Sequence, residues 1–147
     1  MTNEANVDRN IKLFTYLSVL ITSGIIVLSL FLPFAGYRFS DISEDFSLWK
    51  KGDGYFFLFI VITGLMFLLL GKKIAVIVSG LVILGLFFIE EADILPRVNG
   101  KVVELAELFL HREIGYFLLL IGTLGLIAAG VVGIVLDIKN QKSKSIN

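Results

Sequence analysis

The sequence predicts an all-α membrane protein, four transmembrane helices in an up-down bundle, on three observations. Hydrophobic residues make up 56% of the 147, above the roughly 45–50%, glycine included, that is usual in soluble domains. Mean hydropathy is +0.89, and the apolar residues are gathered into long blocks instead of recurring at the amphipathic spacing a water-facing helix needs. Within those blocks no Asp, Glu, Lys, Arg or His occurs away from the ends.

The blocks can be taken in order. The first covers about 11–34 and the last about 114–136, each near the roughly 20 residues that cross a 30 Å hydrocarbon core. The middle two, about 55–70 and 74–89, reach only about 24 Å at 1.5 Å per residue, and so need flanking residues or a thinner bilayer. Between them stands Gly71-Lys72-Lys73. A lysine at a helix end can lay its stem along the helix and place its charge among headgroups, so a tight helical hairpin is expected, ended by Gly71, with both lysines at the membrane surface.

Topology follows from the basic residues. With the N-terminus inside, the inner side holds seven basic residues, Lys72 and Lys73 among them, against three acidic ones, and the outer side six against ten. Lys and Arg density therefore predicts a plasma-membrane protein with both termini cytoplasmic, a cytoplasmic tail at 137–147, and outer loops at 35–54 and 90–113. The competing reading of the first block is a cleaved signal peptide. Its mixed-charge start, its long apolar core and the lack of a small-x-small site after FLPFAG favour a retained helix.

The polarity inside the spans is of the packing kind. Thr15, Ser18, Thr22 and Ser29 follow heptad spacing on the first helix. Gly122, Gly125, Ala129 and Gly133 lie near one face of the last, with Leu119 expected to face lipid. Small residues let backbones approach and hydroxyls bond across helices. The absence of intramembrane ionisable groups argues against a coupled transporter.

The outer loops hold the remaining candidates. In the first, Tyr37-Arg38-Phe39-Ser40 and Phe46-Ser47-Leu48-Trp49 alternate about a polar DISED, which suggests a short extracytoplasmic β-hairpin. Trp49 beside Lys50 and Lys51 reads as an interfacial anchor or a partner-binding residue, and Asp53 as the cap of the second span. In the second loop Val102, Leu105, Ala106 and Phe109 share a helical face, predicting an amphipathic helix through Lys101–Arg112. Glu90, Glu91 and Asp93 read as a solvated charged edge without EF-hand spacing, and His111 as an interfacial polar residue.

There are no cysteines, which excludes disulfides, thiolate metal sites and cysteine nucleophiles. No G-x-S-x-G, HExxH, Walker A or G-x-G-x-x-G is present, so neither an enzyme nor a cofactor or metal site is expected. A formal net charge of zero gives no indication of nucleic acid.

FLPF after the first span, GDGYF opening the second, GKK in the turn and GYFLLLIGTLGLI in the fourth together resemble small, mostly uncharacterised four-helix membrane proteins of bacteria. The resemblance implies the fold and carries no reaction or catalytic residue. Two function classes remain. One is a non-catalytic accessory, regulatory or immunity-type protein, whose partners are the lipid bilayer and another membrane protein or itself, met through Tyr37, Phe39, Phe46, Trp49 and Phe109. The alternative is a small homo-oligomeric pore or transporter lined by the Ser/Thr face of the first helix.

Overall fold

The computed structural model describes residues 2–39, 42–94 and 110–144. It is mostly helical. Helix α1 spans Thr2–Phe31, and a hairpin of β1 (Ala35–Phe39) and β2 (Ile42–Phe46) follows. A single turn α2 (Leu48–Lys51) leads into α3 (Gly54–Leu69) and α4 (Lys73–Ile94); β3 (Leu110–Arg112) and α5 (Ile114–Lys144) complete the chain. Three of the helices, α1, α4 and α5, are long and apolar enough to cross a membrane. At 16 residues α3 is shorter than these.

The helices outrun the apolar blocks. Helix α4 continues past residue 89 through Glu90 and Glu91, and α5 runs through the polar tail to Lys144. Both extensions lack glycine and proline, so nothing in them stops a helix once it is nucleated.

Helix α5 is central, packed on α1 along one side and on α4 along the other. Glycines set both distances. A Cβ at Gly115 would lie 2.6 Å from the Pro33 carbonyl oxygen and 2.9 Å from that of Leu32. At Gly122 it would meet Ile26, at Gly125 Thr22 and at Gly133 Thr15. On the other side Gly130 faces Ile77, and Gly80 of α4 faces Ile127. Each pairing joins backbones at a separation that larger side chains forbid. Val19, Ile26, Leu30, Val76, Ile83, Leu119 and Leu126 fill the space between them. Leu119 is 0% exposed, which corrects its expected lipid-facing position: it lies on the inner side of α5 one turn from Gly122.

The hairpin turn between α3 and α4 ends as its glycine requires. Gly71 takes φ +77°. Its N–H donates to the Leu68 carbonyl at 2.8 Å, and the Lys72 N–H donates to that of Phe67 at 2.9 Å, the two bonds of a Schellman cap. Lys72 is exposed, as expected at a surface. Lys73 is not: its Nζ reaches Asp137 at 2.7 Å and the Gly133 carbonyl at 3.1 Å, and its side chain is 12% exposed. A carboxylate and a carbonyl on α5 within reach of its stem hold it against the bundle, where a headgroup position had been expected.

The β-hairpin forms with different strands from those the alternation suggested. β1 pairs antiparallel with β2 from Ala35↔Phe46 to Phe39↔Ile42, so Ile42–Asp45, expected as a polar connection, is strand. Phe46-Ser47-Leu48-Trp49 leaves the strand at once because the Ser47 hydroxyl accepts from the Lys50 N–H and starts α2. The third strand was not foreseen. β3 pairs with the other edge of β1, Ala35↔Arg112 to Tyr37↔Leu110, giving the order β2-β1-β3. The end of the expected amphipathic helix is therefore extended; its body, with Phe109, lies outside the described residues.

Gly115→Ala should lower the thermal aggregation midpoint of the detergent-solubilised protein by several degrees, since overpacking against backbone costs about 1–3 kcal/mol. Gly24→Ala, where a Cβ meets nothing within 4 Å, should leave the midpoint unchanged or raise it. Equal effects at the two positions would remove glycine packing as the organising contact.

Candidate functional site

The end of the molecule carrying the sheet is built, residue by residue, onto the helices. Helix α1 stops before Pro33, and Leu32–Phe34 becomes a connector whose backbone is bonded on both sides. The Phe34 N–H donates to the Phe46 carbonyl at 2.6 Å, while Glu113 donates to the Phe34 carbonyl and Gly115 to that of Pro33. The Phe34 ring turns inward against Phe87 and Tyr116, with centroids 5.9 and 5.4 Å away. One short segment thus ties the sheet, α5 and α4 together.

The Gly52-Asp53-Gly54 motif is a backbone device. Gly52 ends α2 at φ +93°. A Cβ at Gly54 would lie 3.2 Å from the Trp49 backbone, so α3 begins pressed against α2. Asp53 does not cap α3: its own backbone is helical and it makes no side-chain cap bond. Its carboxylate pairs with Lys51 at 3.1 Å instead. Trp49 is held in a row of rings, 4.5 Å from Phe31 and 4.7 Å from Tyr55 between centroids. It is half-buried packing that joins α1, α2 and α3.

Two ion-pair bridges brace this end. Lys51 reaches Glu90 at 2.5 Å, where the Glu90 side chain is only 12% exposed. Arg112 reaches Glu91 at 2.6 Å, and Glu91 also accepts from the Tyr116 hydroxyl at 3.2 Å. Adjacent carboxylates on α4 therefore serve opposite directions, one toward α2 and one toward β3, which replaces the expected solvated edge. The hydrogen bond from Arg112 to Glu91 pushes the guanidinium, already charged at every physiological pH, above its ordinary range. Arg112 also lies 5.2 Å above the Tyr116 ring.

Of the expected interaction residues, Phe46 is exposed, at 45%, beside exposed Asp45. Tyr37 and Phe39 are placed by their backbone on β1, opposite Glu44 and Ile42. The backbone of His111 pairs with Gly36 on the other side of β1. Among the described residues no three His, Cys, Asp or Glu gather in a way that could hold a metal.

The hydroxyl stripe of α1 is turned toward α5. Thr15 and Ser29 are buried, and Thr22 abuts Gly125. These three hydroxyls bond carbonyls of their own helix at 2.6–3.1 Å. Ser18 is half-buried, and Ala129 packs at the edge of the core. A separate apolar furrow of about 370 Å³ opens between α1 and α3, which touch lightly, and is lined by Leu20, Ser23, Gly24, Leu58 and Val61 among others. The Ser23 hydroxyl is the one buried side-chain oxygen or nitrogen without a partner among the described residues. The Val19 carbonyl, four residues back, already accepts from Thr22. No signal in the sequence marked Ser23 apart from its neighbours.

The Lys51–Glu90 bridge is the better buried, and removing one member strands a half-buried charge. A double-mutant cycle on Lys51→Met and Glu90→Gln, followed by thermal unfolding, should give a coupling of about 1–2 kcal/mol. The cycle on Arg112→Met and Glu91→Gln, with Arg112 54% exposed, should give less than about 1 kcal/mol and fade in high salt. The reverse order would contradict the burial argument.

No protein-family model matches the chain, and it shows no significant similarity to a curated protein or to a solved structure.

Proposed function

We propose that this is a non-catalytic membrane protein that crosses the plasma membrane four times, with both termini and Lys72 cytoplasmic, and acts as an accessory, regulatory or immunity-type partner of another membrane component. The partner is met at the sheet end. The observation that carries this reading is the bracing of that end: three strands, one helical turn and two ion-pair bridges hold a surface bearing Phe46 in a fixed place on the helices. A mere connection between spans needs none of that structure. Exposed aromatic surface held rigid is what a binding site requires.

Helix α3 is counted as the fourth span because it is apolar throughout and joined to α4 by a turn too tight to leave the bundle. Its shortness is met by local thinning of the bilayer. The pore reading needs the α1 hydroxyls wet, whereas Thr15 and Thr22 lie against glycines of α5 and bond their own backbone.

A photo-crosslinking residue replacing Phe46 should capture a discrete partner in cells, while the same residue at lipid-exposed Phe117 should not. Trp49→Ala should lower stability yet leave the capture intact in the folded fraction. No capture at Phe46, together with loss of ion flux in proteoliposomes for Ser18→Ala/Thr22→Ala, would replace this reading with the pore. Orientation is checked separately: an impermeant thiol reagent should label Asp45→Cys and not Gln141→Cys in intact cells, and the opposite pattern would invert the topology.

A further inference from the structure

The packing contacts give the depth of each charge at the end opposite the sheet. Along the antiparallel α1–α5 seam, Thr15 faces Gly133, Thr22 faces Gly125 and Pro33 faces Gly115. The same register carried outward sets Arg9 level with Lys139, and Lys12 about one turn nearer the bundle centre. On the other side of α5, Ile77 faces Gly130 and Lys73 reaches Gly133 and Asp137. That sets Lys72 level with Lys12. Four exposed cations on α1, the α3–α4 turn and α5 thus fall within roughly four residues of helix rise, a band about 6 Å deep. Large apolar side chains border the band immediately toward the bundle: Leu13 and Phe14 on α1, Leu70 and Ile74 at the turn, Val135 on α5, all exposed. Within the band, the carboxylate of Asp137 is taken by Lys73. At the sheet end, by contrast, Lys51 and Arg112 are spent on Glu90 and Glu91.

We propose that this band binds the phosphates of anionic phospholipids in the leaflet at that end. The observations select a lipid over a dissolved anion. The cations are spread over two helices and a turn within one shallow band, and each stands close to exposed apolar side chains. A phospholipid presents that same succession of phosphate and acyl chain. A cation near an anionic membrane surface is attracted strongly and over a short range, so a band no deeper than about 6 Å lets the four act on one layer of headgroups. The inference rests on the membrane-crossing reading of the helices, and the experiment separates the two.

The full-length protein is reconstituted in phosphatidylcholine and in a phosphatidylcholine–phosphatidylglycerol mixture, and the association of spin-labelled phosphatidylglycerol relative to phosphatidylcholine is measured. The wild type should prefer phosphatidylglycerol. Lys72→Gln alone should reduce that preference about two- to fivefold, and Arg9→Gln/Lys12→Gln/Lys72→Gln/Lys139→Gln should abolish it. Lys50→Gln, an exposed cation of the sheet end, should leave it unchanged, and added inorganic phosphate should not compete. Equal association of both lipids with the wild type, or a quadruple variant that keeps the preference, overturns the proposal. Competition by millimolar phosphate would assign the band to a soluble anion and overturn it as well. Wild-type protein that fails to float with the vesicles would overturn the membrane reading itself, and the band with it.

Discussion

The contact on which the other contacts depend is the approach of α1 to α5. In a bilayer, lipid tails are as apolar as leucine, so burial of apolar surface gives helices little reason to associate. Close van der Waals contact remains, and it requires a face without large side chains. Helix α5 provides one with Gly115, Gly122, Gly125 and Gly133, and α1 fills it with Thr15, Thr22 and Ile26. At its upper end the seam turns into main-chain hydrogen bonds from Gly115 and Glu113 to Pro33 and Phe34. The sheet inherits its position from that junction.

From there the two ends of the molecule use charge differently. At the sheet end, Lys51 and Arg112 join loop elements to α4, and the rings of Phe34, Phe87 and Tyr116 close the layer beneath them. At the turn end one lysine, Lys73, bridges α4 to α5, and Tyr16 of α1 donates to the Leu68 carbonyl at the end of α3. Each bridge ties helices that glycine contacts alone would leave free to slide. The α1–α3 side has only the second of these ties and stays partly open as the furrow beside Ser23.

What the sequence made legible was whatever repeats locally. Apolar blocks showed the helices α1, α3, α4 and α5, because an apolar block is a property of consecutive residues; three of the four are long enough to cross a membrane. Gly71 showed its turn, because few residues other than glycine adopt a left-handed cap. The heptad spacing of Thr15 and Thr22 named a face of α1, though not the glycines it would meet. Pairings across long separations were hidden. Nothing near Lys73 announces Asp137, nothing near Lys51 announces Glu90, and Asp53 reads as a cap until a lysine two residues away takes its carboxylate. The hairpin strands were misplaced because alternation continues through Ser47, whose side chain instead begins a helix. Leu119 was misassigned because leucine occurs on both the buried and the exposed side of α5, as Leu119 and Leu124 show.

The seam joins two helices far apart in the sequence, α1 and α5. During synthesis α1 is complete long before α5 exists, and an unassembled span with free hydroxyls would seek any acceptor available. The Thr15, Thr22 and Ser29 hydroxyls are bonded to carbonyls within α1 itself, so that polarity is already answered in the isolated helix. Of the buried or half-buried hydroxyls of α1 that face α5, these three therefore ask nothing of a neighbouring helix, whereas Ser23 on the furrow side still lacks a partner. The cost falls on the other side: until α5 arrives, the face of α1 that matches its glycines stays open.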